Sequence, residues 1–556
     1  MEITPTEKEK KYFILLILLS FVVYISGWFI PLMEIDAAQY ANISREMLLN
    51  KSFLQVFDRG QDYLDKPPML FWLSALSMKL FGINDIAYRL PSFLFAVLSI
   101  FSTYRLALLF YKEQIALISA LVLASCQAMF LITHDVRTDT MLMGWVIFSI
   151  WQLSLWFRTK KWKHLIAASI SVAGGLLTKG PIALMVPIFS FVPHFLLQRS
   201  FRQFFRWQHL VALVIIGICL IPMCIGLYYQ YDLHPEKVMY GQHGISGLRF
   251  YFWTQSFGRI TGESTWHEND SFFFLFENML WGFLPWIIFF VCGLLNDCIV
   301  LARGRFILAL DQEWITDGGF IVTYCALGMS RAQLPHYIYI VLPLAAIITG
   351  KWLYKLLYTN SFKCLVKPLL VIHVVIFSLL TIALFLLLAL PFPPVNTTLI
   401  IFAILVFLLF VIIFIKKWIP LPSLLVVAVY TILFVNFFLD TGFYRLLLQY
   451  QMSVKVSSII KQKAIDKRRL FVYKLNEERS LHFYSNHFFR RVNNADSLSV
   501  NDCLLTSQQG YDSLDKNKYR IIYAGESFHV SRLTLQFLNP ASRKKETDPY
   551  FILKRF

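Results

Sequence analysis

Thirteen apolar stretches, each set off by polar or charged residues, run from Tyr12 to about Phe443, and only the last 113 residues or so read as water-soluble. A helix of about 20 apolar residues crosses hydrocarbon while satisfying its own backbone, so the pattern points to a polytopic α-helical membrane protein. Composition excludes a soluble globule of this size. With 57% hydrophobic residues, 52 Phe, 14 Trp and 15% charged residues, there are too few polar groups to cover its surface.

The stretches fall at 12–33, 89–111, 115–133, 139–157, 164–178, 181–197, 209–229, 272–295, 316–332, 336–357, 365–390, 397–415 and 421–443. The fifth, sixth and ninth are short or interrupted, which membrane helices tolerate only against protein or a cavity. The first is too long for a signal h-region and lacks a small-residue cleavage site, so it reads as a retained anchor.

A formal charge of +18 would suggest nucleic acid in a soluble protein, but here the cations sit in short loops between spans. Arg158, Lys160, Lys161 and Lys163 form one such turn, and Arg199, Arg202 and Arg206 the next of the same parity. Arg303 and Arg305, then Lys351, Lys355 and Lys363, then Lys416 and Lys417 complete the set. The positive-inside rule places these turns and the N terminus in the cytoplasm, and no nucleic-acid partner is implied. An odd span count then divides the chain into a membrane domain, 1–443, and an outer, periplasmic domain, 444–556. The eight Cys form no disulfide framework and read as small buried hydrophobes.

Two outer loops are long, 34–88 and 230–271. The first holds an amphipathic helix, AQYANISREMLL, with Tyr40, Ile43, Met47 and Leu48 on one face and Gln39, Arg45 and Glu46 directed elsewhere. PPMLFWLSALSMKLFG reads as a helix in the membrane interface started by Pro67 and Pro68. The second loop, rich in Gly and polar residues, resembles active-site loops on a rigid scaffold. In the outer domain VKVSSIIKQKA and the region 530–538 suit helices, whereas RLFVYKL, SLHFYS and YRIIYAG suit strands, giving a small α/β domain.

Acids at outer span ends mark the candidate chemistry. Asp36 follows span 1 and Asp139 opens span 4, beside His134, Asp135 and Arg137. Both are also explained as solvated acids at helix ends. Lys66, next to Asp65 in YLDKPP, and Arg89 at the start of span 2 add cations suited to phosphate, or to lipid headgroups generally. Residues alone therefore imply an anion-binding mouth on the outer face. Phe71, Trp72 and Phe81 are natural walls for an isoprenoid tail, and an aromatic belt explains them equally well.

EIDAAQYANISREM, YLDKPPMLFWLSALSMKLFGINDIAYRLPS, RTDTML, LLTKGP and QLPHYIYIVLP, in this order over the first 344 residues, resemble the ArnT-like and protein-mannosyltransferase-like membrane glycosyltransferases of the GT-C fold. The resemblance implies a bundle of about 13 transmembrane helices with a C-terminal extracytoplasmic α/β domain, in the bacterial inner membrane. It implies transfer of a sugar from a polyprenyl (undecaprenyl) phosphate donor to a lipid, glycan or protein acceptor at the outer face. It also gives roles: Asp36 as the essential first-loop acid, Asp139 as that of the second outer loop, and Lys66 and Arg89 as donor-phosphate ligands. Tyr40, Arg45, Asp65, Arg137 and Arg259 are supporting residues.

Departures bear on metal and substrate. Ala37 stands where an acid often follows Asp36, and Thr254-Gln255 replaces a Glu-His pair near which some relatives bind a metal ion. A divalent metal is therefore left open, with Asp65, His134 and His267 as its weak candidates, and Gln333 stands where Lys is frequent. The implied reaction is attack by an acceptor hydroxyl, deprotonated or oriented by Asp36, with inversion at the anomeric carbon. Protein O-mannosyl transfer is the alternative enzyme reading, and a lipid-linked-sugar flippase the non-enzyme one. No internal repeat or mid-bilayer charge favours the latter.

Overall fold

The structure, a computed structural model, describes residues 5–255, 258–261, 271–359, 361–392, 397–475, 479–530 and 532–556, with the backbone alone at 259 and 260. All thirteen apolar stretches are helical. Among the described residues eight helices are long and apolar enough to cross a membrane, and nine when Glu113–Ala124 and Gln127–His134, bent by 52° at their junction, count as one span. The other four stretches are shorter or broken. They form Trp162–Lys179, Ile182–Leu197, the pair Phe274–Gly282 and Ile287–Arg303, and Ile315–Gly328. The chain is a multi-pass membrane protein.

Ten helices build the first half: α1 (Glu7–Ser26), α2 (Asp36–Asn50), α3 (Met69–Phe81), α4 (Asp85–Phe110) and α5 (Glu113–Ala124), then α6 (Gln127–His134), α7 (Thr138–Thr159), α8 (Trp162–Lys179), α9 (Ile182–Leu197) and α10 (Gln208–Leu227). Local sequence sets their starts. Thr6 and Glu9 form a reciprocal capping box on α1, and the Asn84 side chain accepts from the Ala87 amide to open α4. The bundle centres on α5, in which every residue from Gln114 to Ala124 is buried. By contrast, α10 and the Lys363–Ala389 and Thr397–Ile415 helices leave rows of Leu, Ile and Phe exposed, as lipid-facing helices do.

Close approach inside the bundle depends on small residues. A Cβ on Gly226 of α10 would lie 2.0 Å from the Leu54 carbonyl oxygen, whereas one on Gly217 would meet nothing within 4 Å. Gly226→Ala is expected to destabilise the protein by about 1–3 kcal/mol, and Gly217→Ala to leave it unchanged or slightly more stable. Thermal unfolding in detergent checks this pair, and equal midpoints would contradict the packing. Away from the two long loops, a partly buried ion cluster ties three helices together: the Lys351 ammonium lies 2.6 Å from Asp297 and 2.8 Å from Asp317.

Two short antiparallel hairpins ornament the two long loops, β1 (Phe57–Asp58) with β2 (Gln61–Asp62) and β3 (Val238–Met239) with β4 (Gln242–His243). After the last span come β5 (Leu470–Tyr473), β6 (Arg490–Arg491), β7 (Cys503–Ser507), β8 (Tyr519–Ser527) and β9 (Asp548–Arg555). They make one mixed sheet in the order β6-β5-β7-β9-β8, parallel from β6 to β7 and antiparallel beyond. The Met452–Gln462 helix contributes Val456 and Ile460 to the core on one face of the sheet.

SLHFYS is not the strand its alternation suggests. Arg479–Ser485 is a helix in which Ser480, Leu481, His482, Phe483 and Ser485 are all buried, so the period-two reading fails because both faces are covered. This helix packs on α2 against Arg45, and the turn between β1 and β2 donates the Arg59 and Gly60 amides to Glu46, which explains a second difference. Arg45 and Glu46 of α2, expected to point away from its apolar face, are themselves 1% and 4% exposed.

Candidate active site

Four chain segments meet at one end of the bundle. Asp36 is the first residue of α2, whose Tyr40, Ile43 and Met47 pack with Phe71 and Met78 of α3 and so fix the helix start. Lys66 directly precedes Pro67 and Pro68, which open α3. Asp139 lies in the first turn of α7, and Lys179 is the last residue of α8. Gly180, at φ 107, makes the reversal into α9, a conformation that favours glycine and explains the KGP of LLTKGP.

Two cavities adjoin here. The first, about 230 Å³, has polar walls that include Asp36, Gln39, Tyr40, Tyr63 and Asp65. The second, about 160 Å³, is mostly apolar, with Asp139 and Lys179 at its polar end and Leu142, Met185, Phe189 and Leu327 among its walls. Lys66, Gln255 and Tyr337 line both, so the lysine stands between a polar chamber and an apolar trough.

Arg137 ties Asp36 of the polar chamber to Asp135 beside it. It is ion-paired with Asp36, and its Nε lies 2.9 Å from Asp135. Burial works against its charge, but Asp135 and Asp36 outweigh it and hold the guanidinium above its ordinary pKa. Tyr40 is pushed well above the ordinary phenol range, chiefly by burial and then by Asp36, so it is a neutral hydroxyl. In the second cavity Asp139 is 2% exposed, paired with Lys179 and 3.7 Å from the His336 ring. The Lys179 ammonium also lies 3.9 Å from the centre of the Tyr337 ring.

The structure thus brings together Asp36, Asp139, Lys66, Tyr40, Asp65 and Arg137. It corrects other placements. Arg89 is 1% exposed and spends its donors on the His134 carbonyl at 2.9 Å and the Trp28 carbonyl at 3.0 Å, so it braces the backbone and lines neither cavity. Arg45 donates to the His482 carbonyl at 2.7 Å, away from the cavities, and burial lowers it to about 10. Phe71 is fully buried against Tyr40 and Tyr63, and the Trp72 indole donates to the Phe53 carbonyl. Phe81 is 62% exposed. None of these three walls the trough, because Phe71 faces α2, Trp72 reaches the Phe53 segment and Phe81 points outward. Arg259 falls on the Gly258–Thr261 helix, its side chain outside the described residues, as is all of His267.

Among the described residues no three His, Cys, Asp or Glu side chains are grouped to hold a metal ion. His134 is buried 3.9 Å from Asp440 and packs against Gly27, and Asp65 accepts from the Tyr240 hydroxyl. These two candidates do not form a ligand set. Lys179 and His336 were absent from the candidates drawn from the sequence, although LLTKGP and QLPHYIYIVLP contain them. Gln333, in place of the frequent Lys, is fully buried and donates to the Gly328 and Ser330 carbonyls, so it shapes the turn before His336.

Comparison with known proteins agrees with this geometry. Residues 65–225 match the protein-family model described as dolichyl-phosphate-mannose-protein mannosyltransferase. The backbone superposes on the crystal structure of ArnT from Cupriavidus metallidurans bound to undecaprenyl phosphate with a TM-score of 0.72, at 19% identity, covering 92% of this chain and 96% of that one. The chain has the GT-C fold of ArnT. The apo form of that protein gives a TM-score of 0.70 at 18% identity over the same shares.

ArnT-like sequences agree. An undecaprenyl phosphate-alpha-4-amino-4-deoxy-L-arabinose arabinosyl transferase 1 of Pseudomonas fluorescens is 27% identical over 336 residues, 58% of this chain and 55% of that protein. The corresponding transferase of Erwinia tasmaniensis is 28% identical over 259 residues, 45% of this chain and 44% of that one. The chain spans about half the length of the curated relatives it matches.

Proposed function

We propose that the chain is a glycosyltransferase that moves a sugar from a polyprenyl phosphate to an envelope acceptor, such as lipid A or a glycan, with inversion at the anomeric carbon. One observation carries this reading: Lys66 stands where a polar chamber containing Asp36 meets an apolar trough containing Asp139. An amphiphile with an isoprenoid tail, a phosphate and a sugar has that order of chemistry. Burial of the tail contributes about 0.8 kcal/mol per CH₂, Lys66 pairs with the phosphate, and the sugar reaches the chamber. The relatives' names point to an undecaprenyl phosphate donor carrying 4-amino-4-deoxy-L-arabinose.

In the reaction the acceptor oxygen forms a bond to the anomeric carbon as the bond from that carbon to the phosphate oxygen breaks. The bonding pair leaves on the phosphate, where Lys66 stabilises it. Asp36, held by Arg137, orients the attacking hydroxyl and takes its proton. Asp139, fixed by Lys179, organises the sugar at the trough end. The active end then faces the periplasm of a bacterial inner membrane, with the N terminus in the cytoplasm and the C-terminal domain outside. A periplasm-dependent reporter fused after Phe556 is expected to be active, and one active only in the cytoplasm would refute that orientation.

Lys66→Ala is expected to weaken undecaprenyl phosphate binding by about 10- to 150-fold, because a charge-assisted contact worth about 1.5–3 kcal/mol is lost. Titration in nanodiscs checks it, and unchanged affinity together with unchanged turnover removes Lys66 from the site. Mass spectrometry of envelope lipids and glycans from deletion and complemented strains tests the function itself. Loss of a sugar-sized mass identifies both sugar and acceptor, and an unchanged profile contradicts the glycosyltransferase reading.

A further inference from the structure

The segment that delivers Asp36 to the chamber is held largely from the C-terminal domain. Between α1 and α2 the chain from Leu32 to Ile35 has no regular structure of its own, so its backbone groups need outside partners. Glu34 accepts at one carboxylate oxygen from the Ser480 amide at 2.8 Å, from the Ser453 hydroxyl at 3.0 Å and from the Ser480 hydroxyl. Gln451 accepts from the Glu34 amide at 3.2 Å and donates to the Leu32 carbonyl at 2.8 Å and to Ser480 Oγ at 2.9 Å. The Tyr484 hydroxyl accepts from the Leu32 amide and donates to Asp85, each at 2.7 Å.

The contacts continue along α2. Asn42 donates to the Arg479 carbonyl at 2.6 Å, and Arg45 to the His482 carbonyl. The same network reaches the other side of the chamber. Asp85 lies 3.6 Å from Arg89, and Arg89 holds the His134 carbonyl, three residues before Arg137, the ion-pair partner of Asp36. Ser480 is fully buried, Gln451 is 4% exposed, and neither lines the polar chamber or the apolar trough.

We propose that the C-terminal domain is a positioning element of the active site, in which Ser480, Gln451 and Tyr484 fix the Leu32–Glu34 backbone and thereby the stance of Asp36 against Arg137. It rests on the reading of Asp36 as the group that handles the acceptor proton. Reaction geometry is unforgiving, and a displacement of about 1 Å lowers rate by about 100-fold. Tyr484→Phe keeps the ring and removes both hydroxyl contacts. Ser480→Ala removes the hydroxyl that meets Glu34 and Gln451, and Ser480→Thr restores it.

The test uses the full-length protein in nanodiscs, with undecaprenyl phosphate-linked 4-amino-4-deoxy-L-arabinose as donor and lipid A as acceptor. Tyr519→Phe is the comparison variant, since it removes a hydroxyl bond of 2.9 Å to the Ala495 carbonyl inside the same domain. Tyr484→Phe and Ser480→Ala are expected to lower kcat by about 10- to 100-fold with donor KM unchanged. Ser480→Thr should recover most of the loss and Tyr519→Phe should retain normal kcat. Amide hydrogen exchange at residues 32–38, measured without substrate, should quicken in the first two variants only.

Values of kcat within twofold of the unaltered protein for both variants, or an equal loss in Tyr519→Phe, overturn the proposal. Unchanged exchange at 32–38 overturns the clamp itself, whatever the reaction. Full turnover by Asp36→Asn removes the reading beneath it while the exchange result still decides the clamp.

Discussion

Asp36→Asn is expected to reduce turnover by about 10²- to 10⁴-fold, the range typical of losing a general base, while undecaprenyl phosphate still binds. The asparagine keeps the size of the side chain and a hydrogen-bonding oxygen, but it accepts no proton. Folding should survive, because Arg137 retains Asp135 at 2.9 Å and α2 remains held by its packing on α3. Loss of a favourable helix-N-terminal charge lowers stability by about 0.3–1 kcal/mol at most. A solvated helix-end acid would behave differently, since its removal changes stability by about 0.5 kcal/mol or less and leaves turnover intact. Single-turnover kinetics in nanodiscs with a panel of polyprenyl phosphate sugars, run beside donor titrations, separate the two. Near-normal turnover would end the role given to Asp36.

Much of the membrane domain was legible because hydropathy acts over a whole helix length. Every apolar stretch became a helix, and the two helices read in the first long loop are α2 and α3. The C-terminal domain was harder for a physical reason. The strands at Leu470–Tyr473 and Tyr519–Ser527 keep their β character in isolation, but the Arg479–Ser485 helix is decided by burial against α2, far away in sequence. The same contact hides Arg45, and the β1–β2 turn hides Glu46, although the polarity of both alone directs them to solvent.

At the site, Asp36, Lys66 and Asp139 were readable from their place at outer span ends. Lys179 was not, since a lone lysine at a helix C terminus is ordinarily a dipole partner; what distinguishes it is an acid 40 positions earlier that only the α7–α8 pairing brings within reach. Arg89 shows the converse. Its sequence context suggests an anion ligand, yet the His134 carbonyl at the end of α6 and the Trp28 carbonyl in the turn after α1 claim its guanidinium first. The aromatic run of α3 misled similarly, because an interfacial helix has one face for the bilayer and one for the protein. Phe71 faces inward, and the trough is walled by α9 and the Ile315–Gly328 helix instead.

The pairing of Asp139 with Lys179 makes the second large prediction, and its effect on stability is separable from its effect on catalysis. Asp139 is 2% exposed, so removing its cation leaves a buried carboxylate with the Thr138 hydroxyl at 3.4 Å, His336 at 3.7 Å and the more distant Lys66 to compensate. Breaking a buried pair by deleting one partner commonly costs about 3–5 kcal/mol. The low end applies here, because the Lys179 side chain is 14% exposed and borders a cavity. Lys179→Met should therefore lower the unfolding temperature markedly and abolish transfer. Adding Asp139→Asn removes the stranded charge, so the double variant should recover most of the stability and none of the turnover. Thermal unfolding and transfer assays on the two single variants and the double complete a cycle. If Lys179→Met unfolds like the unaltered protein, the carboxylate is not dependent on this lysine. If the double variant regains turnover, Asp139 and Lys179 serve the fold alone, and the sugar is organised by other groups on the chamber wall.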